Sequence, residues 1–235
     1  MAAGYGPSLA GVIVVALTSG RSGLKDWLKA CLNWRVNWRW YAFAFFAPFA
    51  LMLSTIAIYA AINGATPVSP FAGNVSLAIA SFAIVLVVGG PIGEEFGWRA
   101  YAMPWLTAKF SWRTTSLIIG IIWGLWHLPL FYISGTAQSQ MSMSIFMLNI
   151  IAGSVVFGWL YQHTRLSIVP SIVLHMSLNA WAGILIIVPT ATTGGPFAMV
   201  TALLVIIAMF LLVRRDRLLD INVLSEHQTA TQISR

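Results

Sequence analysis

The sequence predicts an all-α fold: a polytopic helical membrane protein of about seven transmembrane helices plus one amphipathic interfacial helix. Composition is the first observation behind this. The 235 residues are 59% hydrophobic and 8% charged, with a mean hydropathy of +0.83, whereas an ordinary soluble domain carries about 25% charged residues. The second is the recurrence of apolar runs of about 20 residues, the length that crosses a bilayer as a helix. The third is the alternation of basic and uncharged loops between those runs.

The runs are centred near Ile13, Leu51, Ala83, Ile122, Ile151, Leu178 and Val205. The first lacks a basic segment ahead of it, so it is expected to be a span and not a cleavable signal. Arg21, Lys25, Lys29, Arg35 and Arg39 follow the first span, Lys109 and Arg113 the third, Arg165 the fifth, and Arg214, Arg215 and Arg217 the last. The loops Asn63–Phe71, Ser134–Ser142 and Pro189–Pro196 carry no charge. Every basic loop therefore falls on one side, which the positive-inside rule makes cytoplasmic. The N-terminus is then outside and the C-terminus inside, in what is expected to be a prokaryotic cytoplasmic membrane.

Thirteen Lys and Arg against six Asp and Glu give a net charge of +7. Because these residues flank apolar runs, they set topology against anionic lipid and do not point to nucleic acid. Cys31 is the single cysteine, so no intrachain disulfide forms. From Ser22 to Trp40, Leu24, Trp27, Leu28, Cys31 and Leu32 follow helical spacing, with Lys25 and Lys29 on another face. This stretch, with Trp34, Trp38 and Trp40, predicts a helix lying in the cytoplasmic interface. The chain reads as one domain over 1–235: first span 1–20, interfacial segment 21–39, motif-bearing spans 74–188, last span 197–213 and cytoplasmic tail 214–235.

Glu94 and Glu95 lie at the end of the third run. Intramembrane carboxylates are costly and mark functional sites by default. Glu95 and Arg99 are one helical turn apart and should pair. Glu94 points about 100° away and needs a partner from another span. His127 lies in the fourth span, where Pro129 should free the carbonyl of Leu125 and kink the helix. His175 and Asn179 share a face of the sixth. Taken alone, each of these is an ordinary interhelical hydrogen-bonding residue. By helical rise, however, His127, His175 and Glu94 sit roughly 18, 14 and 16 Å from the basic side, which predicts one buried polar site. His163 and His227 lie outside it and are expected to be solvated.

A carboxylate and two imidazoles can hold a water and take its proton. The same three, Glu94, His127 and His175, could instead ligate a divalent metal such as zinc. An Asn amide can donate to a developing oxyanion. There is no HExxH and no GxSxG. A proton-linked transporter could also use buried Glu and His, though no inverted repeat is visible.

The segments GEEFGWRAY, WGLWHLPLF and HMSLNA, in this order on three spans, resemble the CPBP family of CAAX prenyl endopeptidases and Abi-type membrane proteases. The pattern EExxxR, aromatic-xxxH, HxxxN falls on Glu94, Glu95 and Arg99, on Trp123 and His127, and on His175 and Asn179. Trp123 stands where the family usually has Phe. Members also carry a further span before the segment that opens this chain, so a truncated or shortened N-terminus is expected.

The resemblance implies an intramembrane endopeptidase acting on a plain or lipidated peptide or protein substrate near the cytoplasmic half of the bilayer. Glu94 would be the general base, His127 would help hold the water, His175 and Asn179 would stabilise the oxyanion, and Glu95 and Arg99 would support them. Both a metal-dependent and a metal-free glutamate mechanism are argued for the family. A non-catalytic scaffold or bacteriocin-immunity-type protein that retains the site is the alternative expectation.

Overall fold

The computed structural model describes residues 2–64, 69, 71–185, 187 and 194–215. Among these, regular structure is helical throughout. The principal helices are α1 (Gly6–Cys31), α2 (Trp38–Asn63), α3 (Val75–Val88), α4 (Pro91–Glu95), α5 (Met103–Thr107), α6 (Trp112–Trp126), α7 (Met143–His163), α8 (Val169–Ile184) and α9 (Gly194–Val213). Among the described residues six helical stretches are long and apolar enough to cross a membrane, with α3 to α5 counted as one stretch, Val75–Thr107. The chain is an integral, multi-pass membrane protein.

All seven predicted runs are helical, but the run centred near Leu178 is the shorter apolar helix Val169–Ile184. Its 16 residues rise about 24 Å, less than a full hydrocarbon core of about 30 Å. The turn before it explains the shortfall. Thr164, Ser167 and Ile168 are fully buried, and Ser167 Oγ donates to the Asn33 carbonyl at 2.7 Å while the Ile168 amide donates to the Cys31 carbonyl at 2.9 Å. The connection is drawn into the protein, and α8 begins beneath the basic face.

The interfacial helix also differs from expectation. It continues the first span through a break at Gly20, where φ is 65° and ψ −172°. It then ends at Cys31 and not near Trp40. Leu24, Trp27 and Leu28 are half-buried and Cys31 buried, while Lys25 and Lys29 are exposed, so the amphipathic pattern holds as far as Cys31; Leu32, just past the helix, is exposed. Two asparagines stop the helix. The Asn33 side chain accepts from the Arg35 amide at 3.1 Å, and Asn37 accepts from the Arg39 amide at 3.0 Å and caps α2. Trp38 and Trp40 therefore belong to α2.

Packing centres on α6, α7 and α9, with Ile119, Trp123, Val155, Phe157, Leu160 and Leu204 in the shared core. Because lipid is as apolar as these side chains, close backbone approach holds the helices together. A Cβ on Gly120 would lie 2.8 Å from the Ile151 Cα, and one on Gly158 would lie 1.9 Å from Ser116 Oγ. Ser154 Oγ also donates to the Ser116 carbonyl at 2.8 Å. By contrast, α3 buries no residue and is the outlying helix.

Candidate active site

The glutamate-bearing segment departs from a plain helix in two places, and both shape the site. Helix α3 stops at Gly89–Gly90, where Gly90 has φ 108°, a conformation that strongly favours glycine. Pro91 then opens α4, where its missing amide costs nothing. A Cβ at Gly90 would lie 3.2 Å from both Glu94 Oε1 and His175 Nε2, so the glycine also makes room for the site. Directly after Glu95, residues Phe96–Ala102 form a π-helical stretch. Such widened turns are rare and occur often at functional sites. The segment leans on the start of α1: a Cβ on Gly93 would lie 2.4 Å from the Gly4 carbonyl oxygen, and one on Gly97 would lie 2.3 Å from that of Pro7.

Glu94 and Glu95 face different surroundings, as their angular offset requires. Glu95 is fully buried and accepts from Arg99 Nη1 at 3.2 Å. The guanidinium lies over the rings of Trp123 and Phe157, 4.4 and 4.2 Å from their centroids. Glu95 also holds His175, whose Nδ1 is 2.8 Å from the same Oε1. Since the carboxylate accepts, Nδ1 carries the proton and Nε2 is turned toward Glu94 and the cavity.

Glu94 is 5% exposed. Its Oε2 accepts from the Trp123 indole N–H. Its Oε1 faces His127 Nε2 at 3.9 Å. His127 Nδ1 lies 2.8 Å from the Trp123 carbonyl oxygen, so it donates there and leaves Nε2 as an acceptor. His127 caps α6, and the chain tightens into a 3-10 turn over Leu128–Tyr132. Pro129 thus ends the α-helix where a kink was expected. Asn179 Nδ2 donates to the Gly89 carbonyl at 2.9 Å, tying α8 to the break beside Glu94.

Glu94, Trp123, His127, His175 and Asn179 line one cavity of about 430 Å³. The structure thus brings together all four residues singled out on three spans, with Glu94 and His175 buried, His127 half-buried and Asn179, expected to be buried with them, exposed. It regroups them in one respect: His175 bonds Glu95, which sequence spacing had paired with Arg99 alone. Trp123, which stands at the aromatic position of the pattern, holds Glu94 directly; its placement four residues before His127 was the available signal. Nothing in the sequence marked Met141, Phe146 or Asn149 as cavity residues. His163 is not simply solvated. It is half-buried against Trp40 and Trp159, with ring centroids 5.5 and 4.7 Å away. His227 lies outside the described residues.

The donor types suit a divalent metal, and imidazoles fixed through Nδ1 are usual in such sites. Their arrangement does not fit one, because among the described residues no three His, Cys, Asp or Glu groups are placed to hold a metal together. The chemistry below is therefore derived from the side chains.

Apolar helices packed through glycines around a sunken carboxylate and two imidazoles define a membrane-embedded protein with a buried polar site. Residues 76–181 match the family model for type II CAAX prenyl endopeptidases, Rce1-like. The chain is also similar to CAAX prenyl protease 2 of Methanococcus maripaludis, 26% identical over 181 residues, which cover 74% of this chain and 67% of that protein. The likeness spans the three motif-bearing stretches, with Glu94, Glu95 and Arg99, Trp123 and His127, and His175 and Asn179 within the matched residues.

Proposed function

We propose that the protein is an intramembrane endopeptidase, CAAX-protease-like, that hydrolyses a peptide bond with a water activated by Glu94. One observation carries this reading: Glu94 Oε1 and His127 Nε2 face each other across 3.9 Å at the cavity wall. That separation exceeds a direct hydrogen bond and is where a bridging water belongs. Both atoms are acceptors, so such a water would give one hydrogen to each and turn its lone pairs toward a bound carbonyl carbon.

In the first step the water oxygen bonds to that carbon, and its proton passes to Glu94 Oε1. The carbonyl π electrons move onto oxygen. His175, held in place by Glu95, and the second amide N–H of Asn179 stabilise this oxyanion. Collapse breaks the C–N bond, and the proton held by Glu94 moves to the departing amine. Trp123 holds the other carboxylate oxygen. Glu95 positions His175 and does not touch the substrate. Residues 1–235 act as a single intramembrane unit, with the C-terminus cytoplasmic in a prokaryotic membrane, on a plain or lipidated peptide or protein.

The test compares detergent-purified wild type with Glu94→Ala. Both are incubated with prenylated and plain peptides, with and without chelator, and cleavage is read by mass spectrometry. Cleavage by wild type and its loss in the variant supports the reading, and the chelator arm tests for a metal. Equal cleavage by both proteins refutes it. Folded wild type that cleaves nothing supports a binding or immunity role instead.

A further inference from the structure

Asn149 is a polar side chain of the cavity that neither the group around Glu94 nor the helix packing accounts for in full. It stands on α7 between the apolar Phe146 and Ile150 and lines the same space as Glu94, His127 and His175. An amide within a membrane-spanning helix is costly unless its hydrogen bonds are made.

A side-chain amide offers two N–H donors and one carbonyl acceptor. One donor is used, because Nδ2 donates to Thr201 Oγ1 on α9 at 3.0 Å. The partner fixes the direction of that bond. Thr201 Oγ1 gives its single proton to the Phe197 carbonyl at 2.8 Å, so toward Asn149 it can only accept. Thr201 is 4% exposed, and it holds the amide in one orientation. Oδ1 and the second N–H meet no further partner among the described residues. Oδ1 is open to the space that the residue lines.

Helix α7 carries this amide past both imidazoles. Phe146, one turn before Asn149, has its ring centroid 5.4 Å from that of His127, and Phe157, two turns after, lies 5.8 Å from that of His175. Between these two rings the cavity wall on α7 is Asn149, Ile150 and Gly153. Gly153 is one turn from Asn149 and shares its face. Gly120 and Gly158 are closed by neighbouring helices, but a Cβ on Gly153 would meet a single atom within 4 Å beyond its own helix, Leu204 Cδ2 at 3.9 Å. The glycine therefore leaves the backbone of α7 open to a ligand that approaches closely.

We infer that Asn149 is a substrate-binding residue that pairs with a main-chain peptide group of the bound substrate. Oδ1 accepts the peptide N–H, the second amide N–H donates to the peptide carbonyl, and the strand is seated over Gly153. This inference rests on the peptidase reading and adds how the chain is held in register. A peptide entering an apolar cavity gives up the water on its main-chain amides, and each group left unpaired weakens binding. Asn149 restores both bonds of one peptide group whatever side chain that residue carries.

The test exchanges atoms on the substrate. Each peptide of the prenylated and plain set is made as a series in which one backbone N–H at a time, away from the scissile bond, is replaced by an ester oxygen. KM and kcat are measured on proteins that keep Glu94, and binding is read by fluorescence anisotropy on the same proteins carrying Glu94→Ala. We expect Asn149→Leu to raise KM about tenfold, the worth of one buried hydrogen bond, with kcat changed by less than about threefold. Thr201 keeps its bond to Phe197 in that variant, so the fold is retained. One ester should weaken wild type by the same factor and leave Asn149→Leu unaffected, because the bond it removes is already gone. Gly153→Leu keeps the amide and fills the strip beside it; it should raise KM at least as much while melting as wild type does. An unchanged KM in both variants overturns the inference. So does a raised KM in Asn149→Leu when every ester costs that variant as much as wild type, since the amide then acts only through α9. Folded protein that binds the peptides and cuts none refutes the peptidase reading alone, and the ester series still decides the role of Asn149. Folded protein that neither binds nor cuts refutes both.

Discussion

Glu95→Ala is expected to damage the fold before it damages the chemistry. Glu95 and Arg99 are 0% and 1% exposed, with 3.2 Å between the paired atoms. Removing one partner leaves a buried charge uncompensated, which typically costs about 3–5 kcal/mol. Stacking on Trp123 and Phe157 survives the change and each contact contributes up to about 2 kcal/mol, so the lower end, about 3 kcal/mol, is expected. For a chain of this size that corresponds to a fall in melting temperature of about 6–12 °C. The single cysteine provides the assay: Cys31 is buried, so a thiol-reactive fluorophore added to detergent-solubilised protein reports its exposure on heating. Replacing both charges, Glu95→Leu with Arg99→Met, should melt well above the single variant, because no unpaired charge remains. A Glu95→Ala protein melting within about 2 °C of wild type, or a double variant no better than the single, would refute the reasoning.

Glu94→Gln should keep the fold, since an amide oxygen can still accept from Trp123, while turnover falls about 10²–10⁴-fold, the usual contribution of a general base; cleavage kinetics beside the same melt check both. Asn179→Ala loses one bond to the Gly89 carbonyl, worth about 1 kcal/mol, and should lower kcat about 10²-fold with KM little changed; a change confined to KM contradicts its role at the oxyanion. Gly97→Ala places a Cβ 2.3 Å from the Pro7 carbonyl oxygen and should cost about 1–3 kcal/mol by pushing α1 from the glutamate segment, seen as a lower melt.

The amino-acid sequence alone determined the all-helical membrane architecture, because a bilayer demands long apolar helices and leaves little choice of fold. It also determined the Glu95–Arg99 pair and the four residues of the cavity group, because intramembrane polar side chains are costly enough to stand out. Tertiary structure decided what those residues touch. That His175 leans on Glu95 while turning Nε2 to Glu94, and that Trp123 grips Glu94 by its indole N–H, depends on how α4, α6 and α8 meet. Local periodicity carries no information on such contacts between distant segments. The break at Gly90 with its following π-helical stretch, and the burial of Thr164, Ser167 and Ile168 ahead of the shortened α8, have the same origin. A backbone yields its regular geometry where another segment supplies the lost hydrogen bonds or the space, and in this protein those suppliers lie tens of residues away.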